Sequence, residues 1–144
     1  MPLINIDVIE GRTGEEIQTL LDTIHNAMVE AFDVPTEDRY QVLTQHQPHE
    51  ITALDTGLGL TRTRNLVILR FTSRSRPRTA KENLYRLLAE GLQKNCGINP
   101  DDLIVTITEN DAADWSFGRG TGTIPLTVYP AVSISSFQRS GIGR

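Results

Sequence analysis

Residues suited to chemistry begin at the second position of the chain. Pro2 follows Met1 directly and precedes a strand-like run, LINIDVI, at positions 3–9. Removal of Met1 would leave a secondary amine that can act as base, acid or nucleophile, and the ring would fix the φ of that residue. A Met-Pro start without a role is the alternative. Which of the two holds depends on the residues that the fold brings beside Pro2.

Charged and aromatic residues further along the chain complement such an amine. Arg74 and Arg76 are two positions apart, and guanidinium groups hold a carboxylate through forked hydrogen bonds. Asp38 could orient or activate a water molecule, while Trp115 and Phe117 could exclude bulk water and so strengthen these interactions. Taken singly, each residue also fits an ordinary role as a loop carboxylate, a solvated strand-end charge or a core ring.

The first half of the chain has the pattern of one β-α-β unit. Apolar residues recur at steps of three and four, which predicts an amphipathic helix over about 14–32. Thr13 and Glu16 form a capping box in front of it. The run at 3–9 predicts a strand before this helix, and the segment 40–45 predicts another after it.

The same order of elements recurs in the second half. A strand is predicted over 65–72, a capping box at Thr79 and Glu82, a helix that ends near 95–97, and a strand over 103–108. The threonines of the two capping boxes are 66 positions apart. We interpret this as a tandem β-α-β duplication. The predicted fold class is α+β, with a four-stranded mixed sheet and two helices on one face.

This topology would bring the chemical residues to one edge of the sheet. The two strands of a β-α-β unit are parallel, so the start of the second strand, just after Asp38, lies at the edge of Pro2. If the halves pair about a pseudo-twofold axis, the second half runs antiparallel. It then delivers Arg74, Arg76 and the segment 110–117 to the same edge.

Length sets the expected domain organisation. A chain of 144 residues is short enough to form a single domain over 1–144. Its halves would span about 2–48 and 65–110. The segment 121–144, rich in Gly, Thr and Ser, is expected to be an irregular tail.

The connection between the halves does not indicate a separate site. His46 and His49 are three positions apart, but no cysteine or carboxylate pair supports them, so we expect no metal ion. Gly57 and Gly59 indicate a turn or hairpin rather than a phosphate-binding loop, because no helical pattern follows them. No cofactor is expected.

Composition limits the partners. A net charge of -4 argues against a nucleic-acid binder, whereas the predominance of Arg over Lys favours carboxylate or phosphate recognition. No apolar run approaches membrane-spanning length, and residues 1–10 lack the features of a signal peptide, so no membrane partner is expected. Cys96 is the single cysteine and cannot form an internal disulfide, which favours a cytoplasmic location.

The combination of motifs resembles the tautomerase superfamily, whose members use an amino-terminal proline on a β-α-β unit. The likeness covers about residues 2–120 and rests on four stretches: PLINIDVIEGRT at 2–13, VPTEDRY at 34–40, DTGLG at 55–59 and DWSFGRG at 114–120. Within the superfamily, these stretches are most similar to the malonate semialdehyde decarboxylase family. The resemblance implies Pro2 as the catalytic amine and Asp38 as its acidic partner.

The resemblance also implies a pair of arginines as a clamp for the substrate carboxylate. The family has a proline between its two arginines, whereas Ser75 stands at this position here, and a second spaced pair, Arg76 and Arg78, follows. We prefer Arg74 and Arg76, because this choice needs no gap and keeps the predicted helix cap at Thr79. Arg78 is the reserve candidate.

The resemblance further implies an apolar wall of Trp115 and Phe117, a homotrimer and a small carboxylate substrate. The implied activity is a cofactor-free decarboxylation of a 3-oxo acid, malonate semialdehyde, to acetaldehyde and carbon dioxide, with hydratase activity through a water activated by Asp38. If the Pro2 amine is neutral at neutral pH, the same site would serve a keto-enol tautomerase of a 2-oxo acid such as phenylpyruvate. A non-enzymatic binding or signalling oligomer is a further alternative.

Overall fold

The part of the chain that the structure describes is built mainly from two β-α-β motifs. The structure is a computed structural model and describes residues 2–122. The main elements are β1 (Leu3–Ile9), α1 (Gly14–Phe32), β2 (Tyr40–His46), β3 (Val67–Arg74), α2 (Arg78–Cys96) and β4 (Leu103–Asn110). Short 3-10 helices lie at Pro48–Glu50, Pro100–Asp102 and Ala112–Asp114. Nearly all of the tail predicted over 121–144 lies outside the described residues.

The strands form a mixed sheet in the order β2-β1-β3-β4. β1 is parallel to β2 and antiparallel to β3. Leu3, the first residue of β1, pairs with Tyr40 on β2 and with Thr72 on β3. The predicted α+β fold with a four-stranded mixed sheet is therefore confirmed. β3 begins and ends two residues later than the sequence predicted, so that Arg74 is its last residue.

The hydrophobic core lies between the sheet and the two helices. Alternate residues of β1 and β3 face it, as the period of two in a half-buried strand requires. The fully buried core side chains include Ile4, Ile6, Val8, Leu69, Phe71, Leu20, Ile24, Met28, Leu84, Leu88 and Leu92. The helices approach closely at Gly91, where a Cβ atom would lie only 3.0 Å from Cγ2 of Thr23.

The two helices begin differently. Before α1, Oγ1 of Thr13 accepts the backbone N–H of Glu16 at 3.2 Å, and Oε1 of Glu16 accepts that of Thr13 at 2.9 Å, which confirms the first capping box. The second box is wrong, because α2 begins at Arg78, before Thr79, and Pro77 is its N-cap. Proline has a φ suited to a helix start, and Nε of Arg78 engages Glu82 instead, at 2.9 Å.

The connection between the halves forms a turn, one of the two predicted outcomes. The carboxylate of Asp55 accepts the backbone N–H groups of Gly57 and Gly59, each at 3.0 Å. Further along, Thr63 donates from its backbone to Asp102 at 2.6 Å. These hydrogen bonds fix the connection without a strand in it.

The chain divides into two units, Met1–Glu109 and Asn110–Arg144. The first holds the sheet and both helices. The second, as far as residue 122, contains the 3-10 helix Ala112–Asp114 and an isolated bridge between Gly118 and Thr121.

Candidate active site

Pro2 lies at the edge of the sheet where β1 and β2 begin and β3 ends. This edge is formed by the ends of strands and is not a lateral edge strand. Its side chain is buried. Continuing the register of β1 by one residue sets Pro2 beside Arg39, which precedes β2, and beside Ser73 in β3. Asp38 immediately precedes Arg39 in the chain, and Arg74 immediately follows Ser73. The strand pairing thus gathers the predicted amine, carboxylate and first guanidinium at one edge.

Asp38 is a buried carboxylate at this edge. Only 2% of its surface is exposed. The turn before β2 fixes the residue, because its backbone N–H donates to the carbonyl oxygen of Pro35 at 3.0 Å. A buried charge is unfavourable unless opposite charge or hydrogen bonds compensate for it. Arg76 is one source of compensation, since its guanidinium interacts electrostatically with Asp38.

The Arg76 side chain lies across the C-terminal end of α1. Nε donates to Oγ of Ser73 and Nη1 to the carbonyl oxygen of Phe32, both at 3.3 Å, and Cζ lies 5.0 Å from the centroid of the Phe32 ring. The last carbonyl groups of a helix carry partial negative charge, which favours a nearby cation. The last turn of α1 has no basic residue of its own, so Arg76 supplies that cation from the loop that follows β3.

The surroundings of Arg76 act on its pKa in opposite directions. Burial lowers the pKa of Arg76 from its ordinary value, and the neighbouring Arg74 cation lowers the pKa further. Asp38 raises it. Since a guanidinium stays protonated in proteins, the result is a partly desolvated cation, which interacts more strongly with an anion than a solvated one does.

The three arginines that are candidates for the carboxylate clamp have different surroundings. Arg74 ends β3, is exposed and lies near enough to Arg76 to affect its pKa. Arg78 opens α2, its side chain is 90% exposed, and it forms an ion pair with Glu82 at 2.9 Å. The backbone N–H of Arg76 donates to Oε2 of Glu109 at 2.9 Å, which brings the end of β4 to the end of β3.

Trp115 and Phe117 form a stacked pair within the second unit. Their ring centroids are 5.1 Å apart and their planes differ by 2°. Nε1 of Trp115 donates to Oδ1 of Asn110 at 2.8 Å, which ties this ring to the last residue of β4. The two rings predicted to form an apolar wall therefore stack on each other.

Two of the three histidines of the unit Met1–Glu109, His25 and His46, have structural partners. Nε2 of His46 lies 2.8 Å from Oδ1 of Asp7, whose Oδ2 accepts from Arg70 at 2.9 Å. His25 is buried, and its Nε2 lies 2.8 Å from the carbonyl oxygen of Thr36. Within residues 2–122, no group of three or more His, Cys, Asp or Glu side chains is arranged to hold a metal ion.

Sequence reasoning missed three residues around Arg76. Phe32 and Glu109 carry no local signal, because they are 44 and 33 positions away from Arg76. Ser73 does carry one. It is a polar residue at an inward position of β3, in line with Leu69 and Phe71, and it is fully buried.

Known proteins match this fold and sequence. Two sequence models, each described as tautomerase enzyme, match residues 38–118 and residues 2–60. Probable tautomerase YrdN of Bacillus subtilis is 56% identical over 120 residues, which make up 83% of this chain and 93% of the relative. The chain belongs to the tautomerase family.

Two solved structures of this fold are malonate semialdehyde decarboxylases. The first, presented as a structural basis for decarboxylase and hydratase activities, is 50% identical with a TM-score of 0.82 and covers 83% of this chain and 92% of that chain. The second, FG41 malonate semialdehyde decarboxylase inhibited by 3-bromopropiolate, is 37% identical with a TM-score of 0.79 and covers 83% and 91%. Within residues 2–122, no helix combines the length and apolar character needed to cross a membrane.

Proposed function

We propose that this tautomerase family member is a cofactor-free decarboxylase of a small 3-oxo acid, malonate semialdehyde, with hydratase activity at the same site. The observation that carries the proposal is the buried carboxylate of Asp38 beside the partly buried Arg76, at the sheet edge where Pro2 begins β1. The similarity to two malonate semialdehyde decarboxylases supports the substrate. The proposal requires that Met1 is removed.

The proposed clamp binds the substrate carboxylate. Arg76 is half-buried and Arg74 is exposed beside it, so together they offer two cations of different solvation to one anion. Forked hydrogen bonds would hold the carboxylate out of the plane of the neighbouring carbonyl group. In that orientation the breaking carbon–carbon bond overlaps the carbonyl π system. Trp115 and Phe117 are proposed as apolar substrate-binding residues that exclude water.

Bond breaking then needs an electron acceptor. The bond between the carboxylate carbon and the α-carbon breaks, carbon dioxide leaves, and the electron pair moves onto the carbonyl oxygen of the aldehyde. A protonated Pro2 amine would donate a hydrogen bond to that oxygen and stabilise the enolate. Transfer of a proton from solvent to the α-carbon gives acetaldehyde. Asp38 favours the charged form of the amine and could activate a water molecule for hydration.

A second candidate is a keto-enol tautomerase of a 2-oxo acid such as phenylpyruvate. The name of the 56% identical Bacillus subtilis relative, probable tautomerase, favours it. In this reaction a neutral Pro2 amine would move a proton between carbon and oxygen. The clamp would bind the same carboxylate without breaking a carbon–carbon bond.

Proton NMR of the protein with malonate semialdehyde, and separately with phenylpyruvate enol, tests both candidates. Mass spectrometry first establishes that Met1 is absent. We expect acetaldehyde to form, and we expect Pro2→Ala to lower kcat by at least about a hundredfold, because general acid catalysis contributes on that scale. Faster ketonisation of the enol without acetaldehyde would identify the tautomerase, and no acetaldehyde would overturn the decarboxylase.

We also propose the assembly in which the enzyme works. The chain would act as one tautomerase-like domain over 1–144 in a cytoplasmic homotrimer. Two observations support association: β2 and β4 are edge strands, and the β2 side chains Tyr40 and Val42 are apolar yet 39% and 52% exposed. Unpaired strand edges favour pairing with another chain.

A further inference from the structure

Ser73 occupies an inward position of β3 that its neighbours on that face fill with apolar side chains. Val67, Leu69 and Phe71 precede it at alternate positions and are buried, and Ser73 itself is 0% exposed. Burial of a hydroxyl group is unfavourable unless hydrogen bonds replace those with water. The hydrogen-bond partners of this hydroxyl therefore indicate why a polar residue lies at this buried position.

The Ser73 hydroxyl joins the two proposed clamp residues. Oγ donates to the backbone carbonyl of Arg74 at 3.0 Å and accepts Nε–H of Arg76 at 3.3 Å. One donor and one acceptor site of the hydroxyl are thus used. Nε is the guanidinium nitrogen nearest the backbone of Arg76, so this contact restricts the direction in which the group leaves its stem.

Phe32 holds the same guanidinium from another side. Its carbonyl oxygen accepts from Nη1 at 3.3 Å, and its ring lies 5.0 Å from Cζ. Phe71 contacts that ring edge to face, with centroids 6.4 Å apart and planes at 71°. A guanidinium has five N–H donors. Two are used here, and within residues 2–122 Nη2 of Arg76 has no hydrogen-bond partner.

We infer that Ser73 is a positioning residue, which orients the Arg76 guanidinium so that its remaining donors receive the carboxylate of a substrate. The inference rests on the proposed function only for the role of Arg76 as part of the clamp. A pre-oriented side chain loses less conformational freedom when an anion binds. Ser73 therefore acts on carboxylate affinity, through Arg76.

A double-mutant cycle with a stable dicarboxylate tests the inference. Malonate binding to the full chain is measured by calorimetry for the parent protein, Ser73→Ala, Arg76→Ala and the double variant. We expect Ser73→Ala to weaken malonate binding roughly tenfold, the scale of one lost hydrogen bond. In the Arg76→Ala background the same change should alter affinity less than twofold, since coupled residues are not additive.

Thr23→Val is the matched control. Thr23 is also a buried hydroxyl residue, and its Oγ1 donates to the carbonyl oxygen of Thr19 at 2.8 Å, in α1. We expect this variant to lower Tm while leaving malonate affinity unchanged. The Nε–H resonance of Arg76 in ¹⁵N-edited NMR should shift in Ser73→Ala and stay in place in Thr23→Val.

The outcomes separate the inference from the proposed function. An equal loss of affinity in both backgrounds, an unmoved Arg76 resonance, or a parent protein that does not bind malonate would each overturn the role of Ser73. If Arg76→Ala abolishes malonate binding altogether, the Nε–H resonance of Arg76 alone tests the role of Ser73. Because neither measurement needs turnover, a failure to release carbon dioxide overturns the decarboxylase proposal and leaves this one standing.

Discussion

Three arginines within five positions illustrate how strongly surroundings decide the use of a side chain. Arg76 is partly buried against Phe32, and its pKa is lowered by burial and by Arg74. Arg78, two positions later, is in solvent with Glu82 as its partner. A solvated ion pair of this kind contributes little free energy. Arg76 is thus a partly buried cation with the exposed cation of Arg74 beside it, which is why we propose these two as the clamp.

Replacement of single arginines by alanine tests this choice of clamp. We expect Arg74→Ala to lower kcat/KM tenfold to a hundredfold, because a hydrogen bond to a charged group contributes about 2 kcal/mol. Arg78→Ala, the matched control, should stay within about twofold of the parent, since its side chain is engaged with Glu82. Steady-state kinetics on malonate semialdehyde measures both. A larger loss in Arg78→Ala would make Arg76 and Arg78 the clamp.

At the scale of elements, two similar helix-start motifs gave different structures. Thr13 and Glu16 bond reciprocally before α1. Thr79 lies inside the first turn of α2, where the carbonyl oxygen of Pro77 already accepts the backbone N–H of Ala80 at 3.1 Å. The second motif differs because Pro77 lies two residues before Thr79. The fixed φ of this proline starts the helix at Arg78, before the predicted cap.

Alanine variants at Thr13 and Thr79 distinguish the threonine that caps a helix from the one that does not. Thr13→Ala should lower the free energy of unfolding by about 1 kcal/mol, as is typical when an N-cap side chain is lost. Thr79→Ala should change it by no more than a few tenths of that, since its side chain is no cap. Urea unfolding followed by circular dichroism measures both. Equal losses in the two variants would contradict the difference in capping.

At the scale of the whole molecule, one face of the sheet is left uncovered by α1 and α2 within residues 2–122. Asp7 links His46 and Arg70 across three strands there, and Val42 on β2 is apolar and 52% exposed. Exposed apolar side chains beside an unpaired strand edge favour association. The helices cover the opposite face, so a second copy would meet this side of the sheet.

Analytical ultracentrifugation tests the assembly. We expect a species of three times 16.0 kDa, and we expect Val42→Arg to dissociate it at micromolar concentration, because a charge would be buried without a partner at the interface. Gln93→Arg, at an exposed position of α2, is the control and should leave the mass unchanged. A monomeric parent protein would contradict the trimer. A trimer that survives Val42→Arg would exclude this face as the interface.

The sequence by itself determined the elements and their order. The period of apolar residues, the first capping box and the glycine that ends α2 are local signals, because each depends on neighbours within one or two turns. Gly97 indeed has a left-handed φ of 65°. The parallel and antiparallel pairings followed from the order of elements and the duplication, and they were confirmed. Pro2 and its candidate partners could therefore be set at one edge in advance.

Only the tertiary structure decided how that edge is built. The burial of Asp38 to 2% and the contact of Arg76 with Phe32, 44 positions away, depend on α1 and β3 packing together. The contact of Glu109 with the backbone of Arg76 depends on β4 ending beside β3. No local pattern encodes such contacts, because they join residues that are close only after the chain has folded. The Ser73 hydroxyl is intermediate: its inward position was readable in the sequence, but its partner was not.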